Sequence, residues 1–353
     1  MADRDGLRIG LWQPVFGGWL RNDPDERMDW RWDYQKRVAQ LADVQGFHTL
    51  LVAELNLNDV KGHAAPSVEA WTAISAIAAV TERIRLMAAI RPGFRVPALV
   101  AKMAANIDHI SGGRFELNLV SAWWQRELEM YANAWLDHAD RYRRSAEFVR
   151  VMRGGWGEAR FSFDGAFYKT TDLILSPKPV QGQIPIYAGG ESDEGRGFIA
   201  EHCDAYLMHG DSVETVRGYV RDMSERRAAA GGPALKFGMA SYIIVRDTME
   251  EAEAERARIT NVRATTQVYD TYKAFVEGSR LRSDISVEDY SVTNRGLRSG
   301  LVGTPDSVAE TLAAYEEAGV GLILAQCSPM HEEIQRLGET LLPLLPGHAG
   351  AGV

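Results

Sequence analysis

Eight short apolar runs, separated by amphipathic helical patterns, constrain the fold of this chain more than any other feature of its sequence. The runs are continuous rather than alternating, as expected for parallel strands covered on both faces. They are Leu7–Val15, Thr49–Glu54, Ile84–Ile90, Phe115–Val120, Ile184–Ala188, Ala205–Met208, Phe237–Val245 and Leu322–Gln326. Helical patterns between them include Tyr34–Gln45, Val68–Val80, Ala98–Ile110, Arg141–Met152 and Val213–Ala229. This alternation predicts the α/β class and a (β/α)8 TIM barrel.

The chain is longer than such a barrel requires. It has 353 residues, whereas an ideal barrel needs roughly 250. We therefore expect a single domain over residues 1–353, with insertions at about 157–183 and 260–300. The first insertion contains β-like patches. The second is polar and aperiodic in its later part, and a loop of that length is typical of a lid over a binding site.

Composition excludes several classes of function. The formal net charge of −9 argues against a nucleic-acid partner. Cys203 and Cys327 belong to no CxxC or Cys/His cluster, and the histidines show no metal-binding spacing, so no metal site is expected. No apolar run approaches the roughly 18 residues of a membrane span, and the N-terminus lacks the apolar core of a signal peptide. We expect a reduced, cytoplasmic protein without a membrane partner.

The stretch IPIYAGGESDEGRGFIA contains the dinucleotide pattern G-x-G-x-x-G/A, but in the wrong context. In a Rossmann turn the first glycine directly follows the strand. Here four residues separate the strand-end glycines from Gly195. Gly195 and Gly197 are therefore predicted to lie inside a helix and to permit close packing.

A phosphate-binding loop is the better interpretation of the same stretch. Gly189 and Gly190 allow the backbone to turn sharply and to approach a ligand. Glu191 and Ser192 lead into the helix, Ser192 is a good N-cap, and free N–H groups at a helix start attract an anion. An ordinary Gly-Gly turn with a serine cap is the alternative.

Polar and aromatic side chains elsewhere also suggest a binding site. Asn118 lies in an apolar run, where its amide must be paired, by a flavin ring or by a neighbouring loop. Trp123 and Trp124 are candidates for a pocket wall or for the core. Arg141 and Tyr142 would reach a phosphate, or they begin a solvated helix.

On these residues the chain resembles the flavin-dependent luciferase-like monooxygenases, and within them the alkanesulfonate, dimethylsulfone and pyrimidine oxygenases. The resemblance covers roughly Leu7 to Leu345. The motifs that carry it are RIGLWQPVFGGWL, IRLMAAIRPG, AKMAANIDHISGGRFELNLVSAWWQRELEMY, HADRYRRSAEFVRVMRGGW, LSPKPVQGQIPIYAGGESDEG, LVGTPDSVAETL and LGETLLPLL. The run IDHISGGRFELNLVSAW is highly specific.

The resemblance implies a TIM barrel with FMN at its C-terminal mouth and the phosphate outward. It implies a two-component monooxygenase that uses FMNH2 and O2, with NAD(P)H acting only through a separate flavin reductase. A flavin (hydro)peroxide would oxidise a neutral small molecule and cleave a C–S or C–N bond. It also implies a homodimer or homotetramer.

The resemblance assigns cofactor contacts residue by residue. Glu54 and Leu55 match a flavin-contacting pair, although the pyrimidine enzyme has Ile and Lys there. Ala89 lies where relatives carry a non-proline cis peptide against the flavin. With the glycine loop, the expected FMN-binding residues are Glu54, Leu55, Ala89, Asn118, Glu127, Arg141, Tyr142, Gly189, Gly190, Glu191 and Ser192.

Expected catalytic and substrate contacts are Asn118, Ser121, His209, Tyr242 and Arg295. His209 is a candidate acid/base group or a neutral packing residue. The sulfonate enzyme has Arg and His where this chain has Ala240 and Tyr242, a Tyr-Pro-His that is Ser328-Pro329-Met330 here, and a pocket cysteine that is Ser67 here. Its lid arginine corresponds to Arg295. Most of the cationic clamp for a sulfonate is therefore missing, which predicts a neutral substrate.

Two other functions fit the same resemblance. One is a deazaflavin-dependent oxidoreductase that transfers hydride and needs neither O2 nor a flavin reductase. The other is a non-catalytic flavin-binding protein. The glycine loop, Arg141, Tyr142 and the long second insertion argue against the latter, because a storage protein needs no lid.

Overall fold

Eight parallel strands close into a barrel in the computed structural model, which describes residues 6–23, 25–121, 124–131, 134–261, 286–292 and 297–346. The strands of the described residues are β1 (Arg8–Trp12), β2 (Thr49–Val52), β3 (Arg85–Ile90), β4 (Phe115–Leu119), β5 (Phe161–Asp164), β6 (Lys169–Leu173), β7 (Ile186–Ala188), β8 (Ala205–His209), β9 (Lys236–Tyr242), β10 (Ile244–Val245), β11 (Val302–Gly303) and β12 (Leu322–Gln326). The barrel order is β1-β12-β9-β8-β7-β4-β3-β2. All eight sequence-predicted strands are confirmed, and with them the TIM barrel.

Helices alternate with the barrel strands along the chain. They are α1 (Trp32–Gln45), α2 (Ala70–Ala78), α3 (Pro97–Ser111), α4 (Gln125–Met130), α5 (His138–Gly157), α6 (Asp193–His202), α7 (Val213–Ala229), α8 (Met249–Ile259), α9 (Val287–Ser291), α10 (Pro305–Glu317) and α11 (Met330–Thr340). All five sequence-predicted helices are present. The pattern that predicted Arg141–Met152 underestimates α5, which begins three residues earlier because Asp137 caps it by accepting from the Asp140 N–H.

A small apolar cluster fills the inside of the barrel, separate from the larger core between strands and helices. Its members come from five different barrel strands, and side chains from strands around a closed barrel meet only in its interior. They are Leu51, Met87, Tyr187, Ala205, Leu207, Leu322 and Leu324, with Trp12 packed against them. Asn118 is in register with Tyr187, and His209 lies two residues beyond Leu207. Both therefore point into the barrel near the carboxyl ends of the strands.

The first insertion contains an antiparallel hairpin of β5 and β6. The Glu147 carboxylate of α5 accepts hydrogen bonds from the backbone N–H groups of Ala166, Phe167 and Tyr168, which fixes the hairpin turn against that helix. The β-like patches predicted from the sequence are therefore confirmed as a hairpin.

The second insertion is described only in part. Residues 262–285 and 293–296, which include Arg295, lie outside the described residues. Its described portion is docked on the segment after β1. The Asn22 side chain donates to the Asn261 carbonyl at 3.2 Å, and the Arg21 guanidinium lies 4.1 Å from the centroid of the Tyr290 ring. The lid role and the single-domain assignment stay predictions.

Both cysteines are fully buried free thiols. Burial raises the pKa of the Cys203 thiol and of the Cys327 thiol. Within the described residues, no group of histidine, cysteine, aspartate and glutamate side chains is placed to hold a metal ion. No described helix is long and apolar enough to cross a membrane.

Candidate functional site

The carboxyl ends of the barrel strands bring most of the predicted site residues to one end of the molecule. Because all eight strands are parallel, the segments that follow them meet at that end. These segments contain Glu54, Leu55, Ser121, Glu127, Gly189, Gly190, Glu191 and Ser192. Ala89, Asn118, His209 and Tyr242 lie in the last two residues of their own strands. Arg141 and Tyr142 lie in the first turns of α5. Trp123, like Arg295, is outside the described residues.

The glycine loop after β7 is shaped by close contacts. A Cβ atom on Gly189 would lie 2.9 Å from the Leu207 carbonyl oxygen, and one on Gly190 would lie 3.1 Å from the Tyr142 hydroxyl. Neither glycine has a positive φ angle. Their backbone does not use the left-handed conformation that favours glycine, and the sharp turn stays a prediction. Both are needed for close approach, and that leaves the loop backbone accessible to a ligand.

Ser192 ends the loop and begins α6. Its Oγ accepts from the Gly195 N–H at 3.1 Å, which confirms the predicted N-cap and places Gly195 and Gly197 inside the helix. A Cβ on Gly195 would lie 2.7 Å from the Tyr142 hydroxyl, whereas one on Gly197 meets nothing within 4 Å. Close packing is therefore confirmed for Gly195 and wrong for Gly197.

Tyr142 links α5 to this loop. Its ring packs against His138 and Phe198. Burial raises the pKa of its hydroxyl, and the interactions with Ser192 and with the charge of Arg141 oppose that shift. The Arg141 guanidinium lies 4.1 Å from the centroid of the Trp135 ring. The Tyr142 hydroxyl therefore lies beside the start of α6, and Arg141 precedes Tyr142 on α5.

The acidic residues in the first turn of α6 are paired with basic side chains. Asp193 forms an ion pair with Arg226 at 2.7 Å, and a Glu194 oxygen lies 3.6 Å from His138 Nδ1. Arg226 offsets negative charge that would otherwise oppose an anion at the helix start, and His138 does so when it is protonated. The loop and the helix terminus suit a phosphate group, which Arg141 on the adjacent helix α5 would help to bind.

Asn118 presents an unpaired acceptor inside the barrel. Its side chain is buried, with 7% of its surface exposed, and its Oδ1 has no hydrogen-bond partner among the described residues. A buried amide oxygen without a partner is costly. The N3–H group of a flavin ring would satisfy it. The predicted pairing with a neighbouring loop is not seen in the described part of the chain, so the residues present fit FMN.

Ala89 is in register with Asn118 on the neighbouring strand. Its carbonyl accepts a hydrogen bond from Trp71 Nε1 at 3.1 Å. The cis peptide bonds of the described residues are Ser176–Pro177 and Ser328–Pro329. The expected non-proline cis peptide at Ala88–Ile90 is therefore wrong, and these residues continue β3 to its end.

Glu54 and Glu127, both expected to contact the flavin, form hydrogen bonds with arginines. The two Glu127 oxygens pair with the Arg91 guanidinium, and Glu54 accepts from the Arg91 N–H and from the Arg95 side chain. Burial raises the pKa of the Glu54 carboxyl, and the charges of Arg95 and Arg91 lower it. Arg95 also binds Glu69, the N-cap of α2, at 2.7 Å. Direct flavin contact by either carboxylate stays a prediction.

The roles of Arg91 and Arg95 were not predicted from the sequence, although one signal was present. Arg91 directly follows the apolar β3 run, at a strand end where functional side chains of this fold gather. Arg91 is the arginine of the sequence IRPG, and its charge needs a partner because the preceding strand is buried on both faces.

A second buried carboxylate, Glu26, was also missed. It accepts from the backbone N–H groups of Trp19 (3.0 Å) and Leu20 (2.8 Å), from Lys61 Nζ (2.6 Å) and from Ser328 Oγ (2.7 Å). These contacts hold the segment after β1 against the end of β12. The polar run DPDERMD gave no sign of burial, because each partner lies elsewhere in the chain.

Aromatic side chains surround the same strand ends. The Trp12 and Trp19 rings meet edge to face at 6.0 Å, and Phe16 packs on Trp19 at 6.5 Å. His209 pairs in register with Ala240, and Tyr242 pairs with Gln326. Burial raises the pKa of the Tyr242 hydroxyl well above its usual value, and that hydroxyl has no partner among the described residues.

Ser121 is connected to α5 through a short hydrogen-bonded chain. Its Oγ lies 3.0 Å from Ser145 Oγ, which donates to the Arg141 carbonyl at 2.9 Å. Of the two tryptophans in SAWWQRE, Trp124 packs against the His63 ring at 4.9 Å. The start of α5 is therefore tied to the segment that follows β4.

Comparison with known proteins gives strong matches in sequence. A sequence model of the luciferase-like monooxygenases matches residues 14–321. An FMNH2-dependent dimethylsulfone monooxygenase from Pseudomonas putida is 36% identical over 349 residues, which are 96% of this chain and 95% of that protein. The same enzyme from Pseudomonas fluorescens (strain Pf0-1) is 35% identical over 352 residues, which are 97% of this chain and 95% of that protein.

Solved structures show the same barrel at lower identity. Riboflavin lyase, solved with modified FMN and riboflavin, superimposes with a TM-score of 0.80 and 18% identity, covering 96% of this chain and 91% of that one. DmoA from Hyphomicrobium sulfonivorans superimposes with a TM-score of 0.79 and 19% identity, and the match covers 96% of this chain and 87% of that one. These structures support the fold.

Proposed function

The chain belongs to the luciferase-like monooxygenase family, and from this we propose that it oxidises a neutral small molecule with cleavage of a C–S or C–N bond. It is an FMN-dependent monooxygenase that uses reduced FMN and O2. Two relatives act on dimethylsulfone by name. Small sulfones are therefore the first substrates to test, followed by amides and ring compounds.

The loop Gly189–Ser192 would hold the FMN phosphate together with Arg141 and Tyr142. The observation that carries this proposal is the close approach of Gly190 to the Tyr142 hydroxyl beside the start of α6. A glycine backbone lets an anion reach the N–H groups at a helix terminus directly. Asn118 would pair with the flavin ring inside the barrel. When bound, reduced FMN supplies the electrons that activate O2.

The remaining site residues would bind and orient the substrate. The Tyr242 hydroxyl is protonated at physiological pH, as in an ordinary tyrosine, and burial raises its pKa further, so it would serve as a hydrogen-bond donor. His209 is proposed as an acid/base group, and Ser121 and Arg295 as further contacts. The aromatic side chains after β1 would exclude water from the reacting groups.

The protein also needs a source of reduced flavin. We propose a separate flavin reductase that uses NAD(P)H, and assembly of the oxygenase as a homodimer or homotetramer. We further propose that it acts in the cytoplasm, where both thiols would stay reduced.

Arg141→Ala is expected to weaken FMN binding by about 1–3 kcal/mol, the range for a lost charge-assisted contact. Fluorescence titration with FMN measures the change. Arg143→Ala is the matched control, because Arg143 lies on the same helix but is exposed and pairs with Asp140. Equal FMN affinities for the two variants would place the phosphate away from Arg141.

A substrate screen tests the proposed reaction. The protein is incubated with FMN, a flavin reductase, NADH and O2, and sulfones, amides and ring compounds are assayed for sulfinate, sulfite and amide-cleavage products. We expect product only when reductase and O2 are both present. Turnover without oxygen, with a reduced deazaflavin as hydride donor, would favour the hydride-transfer alternative.

A further inference from the structure

The Arg91–Glu127 ion pair at the barrel mouth is among the most deeply buried ion pairs of the described residues. Glu127 Oε1 accepts from Arg91 Nη2 at 2.9 Å, and Glu127 Oε2 accepts from Arg91 Nη1. The exposed fractions of the two side chains are 2% for Arg91 and 0% for Glu127. The contact is bidentate, which fixes the relative orientation of both side chains.

Stability alone does not account for a pair buried so completely. Removing two charges from water carries a desolvation cost that the attraction between them often only balances, and apolar residues of similar volume are frequently as stable. A role in positioning is the better explanation, and the other hydrogen bonds of the pair indicate what is positioned.

Those hydrogen bonds converge on three consecutive residues after β2. The Glu54 carboxylate accepts from the Arg91 N–H at 2.7 Å. The Leu55 carbonyl accepts from Ser67 Oγ at 2.6 Å. The Asn56 N–H donates to Glu127 Oε1 at 2.5 Å. The backbone from Glu54 to Asn56 is therefore fixed by β3, by α4 and by the segment before α2.

The same contacts involve all four oxygens of the two carboxylates. Both Glu127 oxygens accept from Arg91, and one of them also accepts from Asn56. Both Glu54 oxygens accept from Arg91 or Arg95. Leu55, between these anchors, is half-buried and packs on the core with part of its surface exposed.

We propose that Glu127 is a positioning residue, which, with Arg91, holds the Leu55–Asn56 peptide so that Leu55 packs against the flavin. This inference rests on the proposed function, because it assumes that FMN binds at the barrel mouth. It changes the role of Glu127 from a flavin ligand to a support for the segment that contacts the flavin.

Two double variants separate positioning from packing. Arg91→Met with Glu127→Gln removes both charges and keeps a side-chain oxygen that accepts from the Asn56 N–H. Arg91→Met with Glu127→Met removes both charges and that acceptor as well. Neither variant leaves an unpaired buried charge, and the residues exchanged have similar volumes. They therefore differ mainly in the hydrogen bond to Asn56.

We expect similar thermal unfolding midpoints for the two variants but different flavin binding. The Gln variant should bind FMN within about threefold of the unmodified protein, and the Met variant roughly tenfold or more weakly. Fluorescence titration measures both dissociation constants. The Met variant should also broaden or shift the visible absorption band of bound FMN, because the ring is held less firmly.

Glu116→Gln is the control. Glu116 forms an ion pair with Arg85 at 2.6 Å, and Arg85 is at the opposite end of the strand that precedes Arg91. Loss of the Glu116–Arg85 ion pair should lower the thermal unfolding midpoint without changing the FMN affinity. Equal FMN affinities for the two double variants would overturn the positioning role. Absence of flavin binding by the unmodified protein would instead overturn the proposed function, and this inference with it.

Discussion

Glu26→Ala is expected to lower the free energy of unfolding by about 3–5 kcal/mol, the cost of removing one partner from a buried ion pair. The substitution leaves Lys61 without its carboxylate partner, and it removes the acceptor of the Trp19 and Leu20 N–H groups and of the Ser328 hydroxyl. Chemical denaturation followed by circular dichroism measures the change.

Two further variants calibrate this result. Glu26→Gln should destabilise less, because the amide oxygen still accepts one or two of these hydrogen bonds. Glu253→Ala removes an exposed ion pair with Arg256 on α8, and its effect should stay below about 0.5 kcal/mol. A loss of similar size in Glu26→Ala and Glu253→Ala would show that the Glu26 contacts contribute little.

Glu26→Ala should also affect the substrate side of the site. Glu26 holds the backbone of Trp19, whose ring packs on Trp12 and Phe16. A Cβ on Gly18 would overlap the Glu26 carboxylate. The aromatic wall therefore depends on a glycine and an acid that lie outside it.

Neutral sulfones, amides or ring compounds are expected to be turned over about tenfold or more efficiently than short alkanesulfonates, a difference of at least about 1.4 kcal/mol. A sulfonate that leaves water needs cationic partners, since an unpaired buried charge is costly. Ala240 and Tyr242 occupy two positions where the sulfonate enzymes that the chain resembles carry Arg and His. The wall of Trp12, Phe16 and Trp19 favours an apolar or flat molecule.

Restoring the cations tests this explanation. Ala240→Arg with Tyr242→His should move the preference toward sulfonates, measured as the ratio of kcat/KM for a sulfonate and a sulfone. Ala240→Met is the control, since it adds comparable length to the half-buried Ala240 without charge. Robust sulfite release from alkanesulfonates by the unmodified protein would contradict the neutral-substrate proposal.

The barrel was predictable from the sequence because its signal is local. Each of the eight apolar runs marks a strand whether or not its neighbours are known, and a serine before an acidic turn is a visible cap, as Ser192 shows. The functional loop after β7 was found in the same way, from Gly189 and Gly190.

The ion pairs could not be predicted because their partners are far apart in sequence. Glu127 pairs with a residue 36 positions away, and Glu26 contacts a serine 302 positions away. Acidic residues in polar stretches are most often exposed, so nothing local distinguishes Glu26 from Asp25 or Asp23. Likewise, the different packing of Gly195 and Gly197 depends on Tyr142, which belongs to another helix.

The complete burial of both cysteines has a consequence for an enzyme that handles reduced flavin and oxygen. Reduced flavin that meets O2 without substrate releases hydrogen peroxide, which attacks thiolates faster than thiols. Cys203 and Cys327 are out of contact with solvent, and their raised pKa values keep them protonated. Oxidative damage from unproductive turnover should therefore begin at exposed thioethers such as Met130 and Met249, with both sulfhydryls spared until the barrel opens.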